Sequence, residues 1–377
     1  MLENVDLTCR IAKDQYKKEM PDLELKLAEL QRSIKELKAP VIVVFEGWEA
    51  SGKGTLINEL ILPLDPRGFN VYSTLPPNAE EALRPFLWRF WARTPARGRL
   101  AIFDRSWYGR VLTGRVEKTV SKAEVTQAYE DICSFERQLA DDGTVIIKIF
   151  LHITKREQKK RFNKLRKHQA TAWRVTAADW KEHKQYDKHK TAIEDMLART
   201  DSEFAPWTVV EAEDRRFATL KVFHTVIQAL SRRLDRKAAD EKKSLATVPD
   251  AEAEPTLNTS SLDTVDASVA IDRETYEREM EAKQDRLREL EHEIYQARIP
   301  VMIVYEGWDA AGKGGNLRRL VTRLDPRGYE VVPVAAPNDV EKEHHYLWRF
   351  WTQIPKAGHI KIFDRSWYGR VLVERVE

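Results

Sequence analysis

Two stretches of the chain set a lysine behind glycines at a spacing suited to holding phosphate. Residues 46–55 read EGWEASGKGT and residues 306–315 read EGWDAAGKGG. A phosphate-binding loop ordinarily runs Gly, four residues, Gly-Lys, then Ser or Thr. Gly47, Gly52 and Lys53 keep that spacing, as do Gly307, Gly312 and Lys313, but Gly54 and Gly314 stand where the hydroxyl belongs. Such a loop aims backbone N–H groups and a helix start at one point, and the lysine adds a charge for phosphate oxygens. Without the hydroxyl, a divalent cation needs other oxygen ligands, preferably carboxylates. Each copy offers two. One is Glu49 or Asp309 inside the loop, and the other is Asp104 or Asp364 in the repeated IFDRSWYGR. Arg105 and Arg365, next in line, are fork-shaped phosphate donors. A glycine turn with a solvated lysine, or an aspartate paired to its neighbouring arginine, would explain one isolated copy. Two copies in the same context argue for a phosphate site.

The elements that must position these residues are legible in the same stretches. VIVVF at 41–45 and VMIVY at 301–305 are short, β-branched, apolar runs leading straight into the loops, as buried parallel strands do. Further strands are predicted at 70–74, 100–104, 144–153 and 207–212, with helical patterns at 121–140 and 214–234 between them. Strands alternating with helices predict an α/β fold with a mostly parallel sheet, in three layers. Ligands then sit at the carboxyl ends of the strands, where Gly47 and Asp104 fall.

The motifs recur at a constant displacement of 260 residues: LDPRG at 64–68 and 324–328, LWRFW at 87–91 and 347–351, IFDRSWYGRVL at 102–112 and 362–372. Across 41–117 and 301–377, 40 of 77 positions are identical without a gap, so the domain is duplicated in tandem. The repeat extends upstream, where Tyr16, Met20, Leu23, Leu27, Leu30 and Ile34 follow the spacing of one helix face, as do Tyr276, Met280, Leu287, Leu290 and Ile294. That face either packs on its own domain or pairs between copies or subunits. Residues 237–270 hold no aromatic side chain, three basic and seven acidic ones, which is the composition of a linker. The division expected is a tail at 1–10, a first domain at 11–235, a linker at 236–270 and a second domain at 271–377. Glu377 aligns with Glu117, so within these residues the second domain is expected to be incomplete, either because the chain is a fragment or because that domain is naturally cut short.

Composition narrows the classes. The 377 residues suffice for two domains, and 42% hydrophobic residues support real cores. A net charge of +3 does not by itself argue for a polyanion partner. Cys9 and Cys133 can form no disulfide framework and have no metal-ligand spacing around them. The first twenty residues lack the apolar core of a secretory signal. The most apolar run, 144–153, is short and interrupted by Lys148, so no membrane span is expected and a cytoplasmic location is.

Taken together, EGWDAAGKG, LDPRG, LWRFW and FDRSWYGR resemble the polyphosphate kinase 2 family. KKRFNKL, AWRVTAADW and ARTDSEFAPW in the first repeat resemble its lid and closing segments. The resemblance covers the chain except the linker and implies a fold like that of phosphate-loop kinases. The tandem arrangement resembles the branch that phosphorylates AMP to ADP with inorganic polyphosphate. It implies that loop and strand-end aspartates serve Mg²⁺ (Mn²⁺ being an alternative) and the transferring phosphoryl group, roles that map onto Asp309 and Asp364. Lys313 and Arg365 complete the expected catalytic set. Further phosphate or nucleotide contacts are expected at Gly307, Gly312, Gly314, Asn338, Glu341, His345, Arg349 and Arg370, and at Gly47, Gly52, Lys53, Gly54, Asp104, Arg105, Lys160 and Arg161. Residues 155–190 carry 13 Lys and Arg against 4 Asp and Glu, reading either as a solvated helix face or as a basic lid for a polyanion. No motif for specific nucleic-acid recognition accompanies them. Self-association of the domains into a homo-oligomer is expected.

The copies depart from the family pattern unequally. The second keeps the loop aspartate, Asp309, and has Glu341 and His345 where the family carries an acid and a histidine before LWR. The first has Glu49, and Pro85 where His345 aligns. One extra methylene suits Mg²⁺ poorly, because its octahedral geometry tolerates little error. The expectation is a catalytic second domain and a degenerate or regulatory first. An ATP-dependent nucleotide kinase and a non-catalytic polyphosphate-binding protein are the alternatives.

Overall fold

The computed structural model describes residues 2–167, 169–244, 264–266 and 268–373. Two compact units divide the chain. The first holds Met1–Asn78, Phe86–Ala238 and Asp339–Trp348, and the second Ala79–Pro85, Ala239–Asn338 and Arg349–Glu377. The boundary between compact units is thus not the boundary between sequence repeats.

In the first unit, helix α1 (Lys13–Glu36) precedes strand β1 (Val41–Gly47), helix α2 (Lys53–Ile61), β2 (Phe69–Ser73) and β3 (Leu100–Asp104). Then come α3 (Lys122–Asp141), β4 (Val145–His152), α4 (Lys155–Arg166), α5 (Ala177–Lys184), α6 (Tyr186–Thr200), β5 (Trp207–Glu211) and α7 (Arg215–Ser244). The strands pair in parallel in the order β2-β3-β1-β4-β5. Val41 to Phe45 in β1 and Ile102 and Phe103 in β3 are fully buried, the two-sided burial their unbroken apolar sequence called for. Met20, Leu27, Leu30 and Ile34 bury one stripe of α1.

Gln31 on that helix takes the Asp65 N–H at 2.8 Å and donates to the Asp65 carbonyl at 3.1 Å. A Cβ at Gly68 would lie 2.4 Å from the Gln31 amide. The repeated LDPRG therefore ends on glycine because α1 passes against it. Helix α7 runs beyond the domain end expected at 235, through the helix-favouring RKAADEKKS. Of the rest of the expected linker, residues 245–263 and 267 lie outside the described residues. Within this unit the Arg97 N–H donates to the Glu343 carbonyl at 2.7 Å, and the His345 ring lies 5.3 Å from Trp91.

The second unit holds α8 (Arg273–Ala297), β6 (Val301–Tyr305), α9 (Lys313–Val321), β7 (Tyr329–Pro333) and β8 (Ile360–Asp364). Its strands pair in parallel in the order β6-β8-β7, the counterpart of β1-β3-β2. Glu291 on α8 takes the Asp325 N–H at 2.8 Å, repeating the Gln31 contact with a carboxylate. The Ala357 N–H donates to the Leu83 carbonyl at 2.8 Å.

Candidate active site

The loop after β1 opens at Gly47, where φ is +144° and a Cβ would come within 2.6 Å of the Leu151 carbonyl oxygen on β4. Only glycine fits there. The chain turns through Ala50 at φ +58° and Gly52 at +106° and enters α2 at Lys53. The second unit repeats the path at Gly307, Ala310 (φ +63°) and Gly312, entering α9 at Lys313. Lys53 Nζ donates to the carbonyls of Gly47 and Trp48 at 2.9 and 3.1 Å, and Lys313 to those of Gly307 and Trp308 at 2.8 and 2.9 Å. Each lysine thus lies across the mouth of its own loop.

Parallel pairing sets Asp104 opposite Phe45 and Asp364 opposite Tyr305, so both strand-end aspartates lie beside their loops. Arg105 and Arg365 follow at φ +62° and +69°, a left-handed conformation uncommon for residues other than glycine. Their N–H groups donate to the carbonyls of Phe45 and Tyr305, each at 3.0 Å. The Arg105 guanidinium forms a close ion pair with Glu49, and that of Arg365 meets Asp309 at 2.6 Å. Burial would raise the Glu49 carboxyl, but the Lys53 and Arg105 charges outweigh it and hold Glu49 below the usual carboxylate range.

The first unit has a lid over its loop. Arg161 on α4 donates to the carbonyls of Ala50 and Ser51 at 3.1 and 2.9 Å and to those of Ala212 and Glu213 at 2.6 and 3.1 Å. Gln158 donates to the Glu49 carbonyl at 3.3 Å and meets His183 Nδ1 at 2.7 Å. Trp48 stacks on Tyr186 of α6 at 3.9 Å, and its indole N–H donates to His152 Nδ1 at 2.9 Å. Burial pulls His152 down to about 4, consistent with a neutral acceptor ring. What remains under the lid is a cavity of about 70 Å³ lined in part by Glu46, Glu49, Arg105, Glu182 and His189. That is well below the roughly 300 Å³ at which small-molecule pockets begin. Glu182 on α5 is raised to about 7, by burial first and by the Glu49 charge second. On the outer face of α4, Arg156, Lys159, Lys160, Asn163, Lys164 and Lys167 line an open groove of about 500 Å³.

The structure brings together Glu49, Lys53 and Arg105 in one unit and Asp309, Lys313 and Arg365 in the other, with Asp104 and Asp364 beside them. It parts Lys160 from Arg161, which face outward and inward. Asn338 and Arg349 fall in the second unit, where Arg349 donates to the Ala335 carbonyl at 2.8 Å, and Arg370 lies in the short helix Gly369–Leu372. Glu341 and His345 belong to the first unit and are not gathered with the Gly307 loop in one compact body. Gly54 and Gly314 face open space. Gln158, Tyr186, Glu182 and His189 were missed, because their role arises from the lid's path. Glu46 was legible as the invariant acid of both EGW stretches.

Among the described residues no three His, Cys, Asp or Glu side chains cluster closely enough to hold a metal ion. Mg²⁺ asks for less: it keeps several waters and takes one or two carboxylates plus substrate phosphate. A loop carboxylate and a strand-end carboxylate on adjacent parallel strands fit that demand.

A parallel sheet with a glycine loop entering a helix, a lysine in that loop and an Asp-Arg pair at the next strand end define a phosphate-loop kinase-like α/β fold. The chain belongs to the polyphosphate kinase 2 family, whose model matches residues 10–238 and 270–377. It is 38% identical over 378 residues to a polyphosphate:AMP phosphotransferase of Pseudomonas aeruginosa, covering 100% of this chain and 76% of the relative. A protein of that name from Pseudomonas syringae pv. tomato is also 38% identical, over 100% of this chain and 75% of its own. A crystal structure of a polyphosphate kinase 2 from Pseudomonas aeruginosa superposes with a TM-score of 0.83 at 36% identity, covering 100% of this chain and 73% of that one.

Proposed function

We propose that this protein transfers a phosphoryl group from inorganic polyphosphate to AMP, giving ADP, with Mg²⁺ (or Mn²⁺) as cofactor. In this reading the second repeat reacts and the first is a degenerate or regulatory partner. A terminal phosphorus–oxygen bond of the polymer breaks, and one to a phosphate oxygen of AMP forms, leaving the polymer one unit shorter. Lys313 and Arg365 neutralise charge on the moving group, and the Gly307–Gly312 backbone orients it. Asp309 and Asp364 would hold the cation, which neutralises phosphate charge when bound.

The observation that carries the assignment of roles is the unequal state of the two loop acids. Asp309 keeps the shorter carboxylate and pairs with Arg365. Glu49 carries one methylene more and is paired with both Arg105 and Lys53. The names of the relatives support the donor and acceptor. The basic groove on α4 favours a second reading, in which the first repeat retains polyphosphate without turnover.

Incubating AMP and the metal with polyphosphate or with ATP, and following ADP, tests the donor; ADP formed only from ATP would overturn it. Asp309→Asn should lower ADP formation by about 100-fold, while Glu49→Gln changes it by less than about threefold. Equal losses would refute the division of roles. Self-association is proposed too, and sedimentation would measure it. No helix among the described residues is long and apolar enough to cross a membrane.

A further inference from the structure

Beside each loop lies an acid that the proposed chemistry leaves unused, buried in the first unit and half-buried in the second. Glu46, 4% exposed at the end of β1, takes both the backbone N–H and the hydroxyl of Ser106 on one oxygen, at 2.9 and 2.8 Å. Ser106 is itself 3% exposed and directly follows the left-handed Arg105. In the second unit Glu306 takes the hydroxyl of Ser366 at 2.6 Å, and Ser366, 3% exposed, directly follows the left-handed Arg365.

A non-glycine residue in this conformation stores backbone strain and persists only where its surroundings over-determine it. Here two contacts bracket the strained residue. The preceding strand residue's carbonyl takes the arginine N–H, and the glutamate takes the serine after it. The serine oxygen in turn accepts the N–H of the residue two further on, at 3.4 Å from Tyr108 and 3.3 Å from Tyr368. Both ends of the turn are therefore tied to the strand that bears the glycine loop. The direction this gives the arginine is toward the loop acid, Glu49 or Asp309. Burial raises the Glu46 carboxyl, so an acid kept there carries a cost that a solvent-facing serine would not impose.

We infer that Glu46 and Glu306 are positioning residues that lock Arg105 and Arg365 in the left-handed turn, fixing the arginine's aim at the loop carboxylate and at phosphate bound there. The inference about catalysis rests on the phosphotransfer reading, whereas the lock does not.

The test uses the full chain with Glu46→Ala, Glu46→Gln, Glu306→Ala and Glu306→Gln, measuring amide hydrogen exchange over 104–110 and 364–370 together with kcat and KM. Gln keeps an acceptor oxygen in nearly the same shape. Each alanine variant should lose about tenfold or more of its protection around its own Ser106 or Ser366 while β1 and β6 stay protected, and each glutamine variant should keep it. Turnover should fall about 10- to 100-fold in Glu306→Ala, with KM within about threefold, and recover in Glu306→Gln, because small misplacements act on kcat. Unchanged protection in the alanine variants would overturn the lock, as would equal loss in alanine and glutamine. Lost protection with unchanged kcat would overturn the positioning role. If an alanine variant loses strand protection as well, Ser106→Ala or Ser366→Ala decides, and no local loss there overturns the lock. A wild-type chain that makes no ADP from polyphosphate refutes the functional reading alone, and exchange still decides the lock.

Discussion

Glu182 shows how a side chain acquires its chemistry from its neighbours. On α5 it is an ordinary surface glutamate by sequence, yet the fold sets it in the loop cavity beside Glu49. Burial and that charge raise it to about 7. Between about 4.5 and 7 the folded state therefore holds a proton that the unfolded state has released. Stability from this group is present below 4.5 and falls as pH rises toward 7. His152 acts oppositely: held near 4, it lowers stability as pH falls from 6.5 toward 4. Comparing wild type with Glu182→Gln cancels the histidine. The variant should gain in urea midpoint relative to wild type as pH goes from 5 to 8. A constant difference would show that Glu182 does not titrate there. Sequence offered no signal for this residue, because Glu49 and Arg105, the charges that act most on it, are more than seventy positions away.

At the scale of elements, the sequence was more informative about existence than about attachment. Strands expected at 70–74, 100–104, 144–153 and 207–212 form at Phe69–Ser73, Leu100–Asp104, Val145–His152 and Trp207–Glu211. Lys148 looked like an interruption of the most apolar run. It is instead fully buried, donating to Glu136 at 2.8 Å, the Tyr108 hydroxyl at 3.1 Å and the Thr200 carbonyl at 2.6 Å. Glu136 also takes the Trp107 indole N–H at 3.0 Å and the Tyr108 hydroxyl at 2.5 Å. A buried ion pair thus ties α3 and β4 to the Trp-Tyr of the strand-end motif. Glu136→Ala leaves the Lys148 charge unpaired and should cost about 3–5 kcal/mol, read as a lower urea midpoint. On α4 the basic positions 156, 159, 160, 164 and 167, with Asn163 among them, follow helical spacing on one face, whereas Arg161 lies about 100° around the helix from Lys160. Charge reversal at Lys160 and Lys164 should lower polyphosphate retention several-fold at low salt, and less at high salt as screening grows. Arg161→Ala should instead loosen the lid, seen as faster proteolysis within 155–190.

For the whole molecule, duplication has two consequences. It makes each repeat an internal control for the other, so geometry found twice, such as the left-handed arginine and the acid bonded to the serine behind it, is a property of the motif. It also lets the copies diverge. Asp309→Asn set against Glu49→Gln is the measurement at this scale, and the division of labour predicts a large loss from the first alone.

By itself the sequence determined the duplication, the parallel α/β elements and the loop, lysine, aspartate and arginine of each candidate phosphate site. These are carried by short motifs and by the periods of local backbone geometry. Only the tertiary structure decided that Glu46 and Glu306 stand behind the arginines, that Arg161 latches the lid while Lys160 faces outward, and that Glu341 and His345 fall in the first unit. Such contacts join residues distant along the chain, and their partners are set by how helices and strands pack. No local period records that.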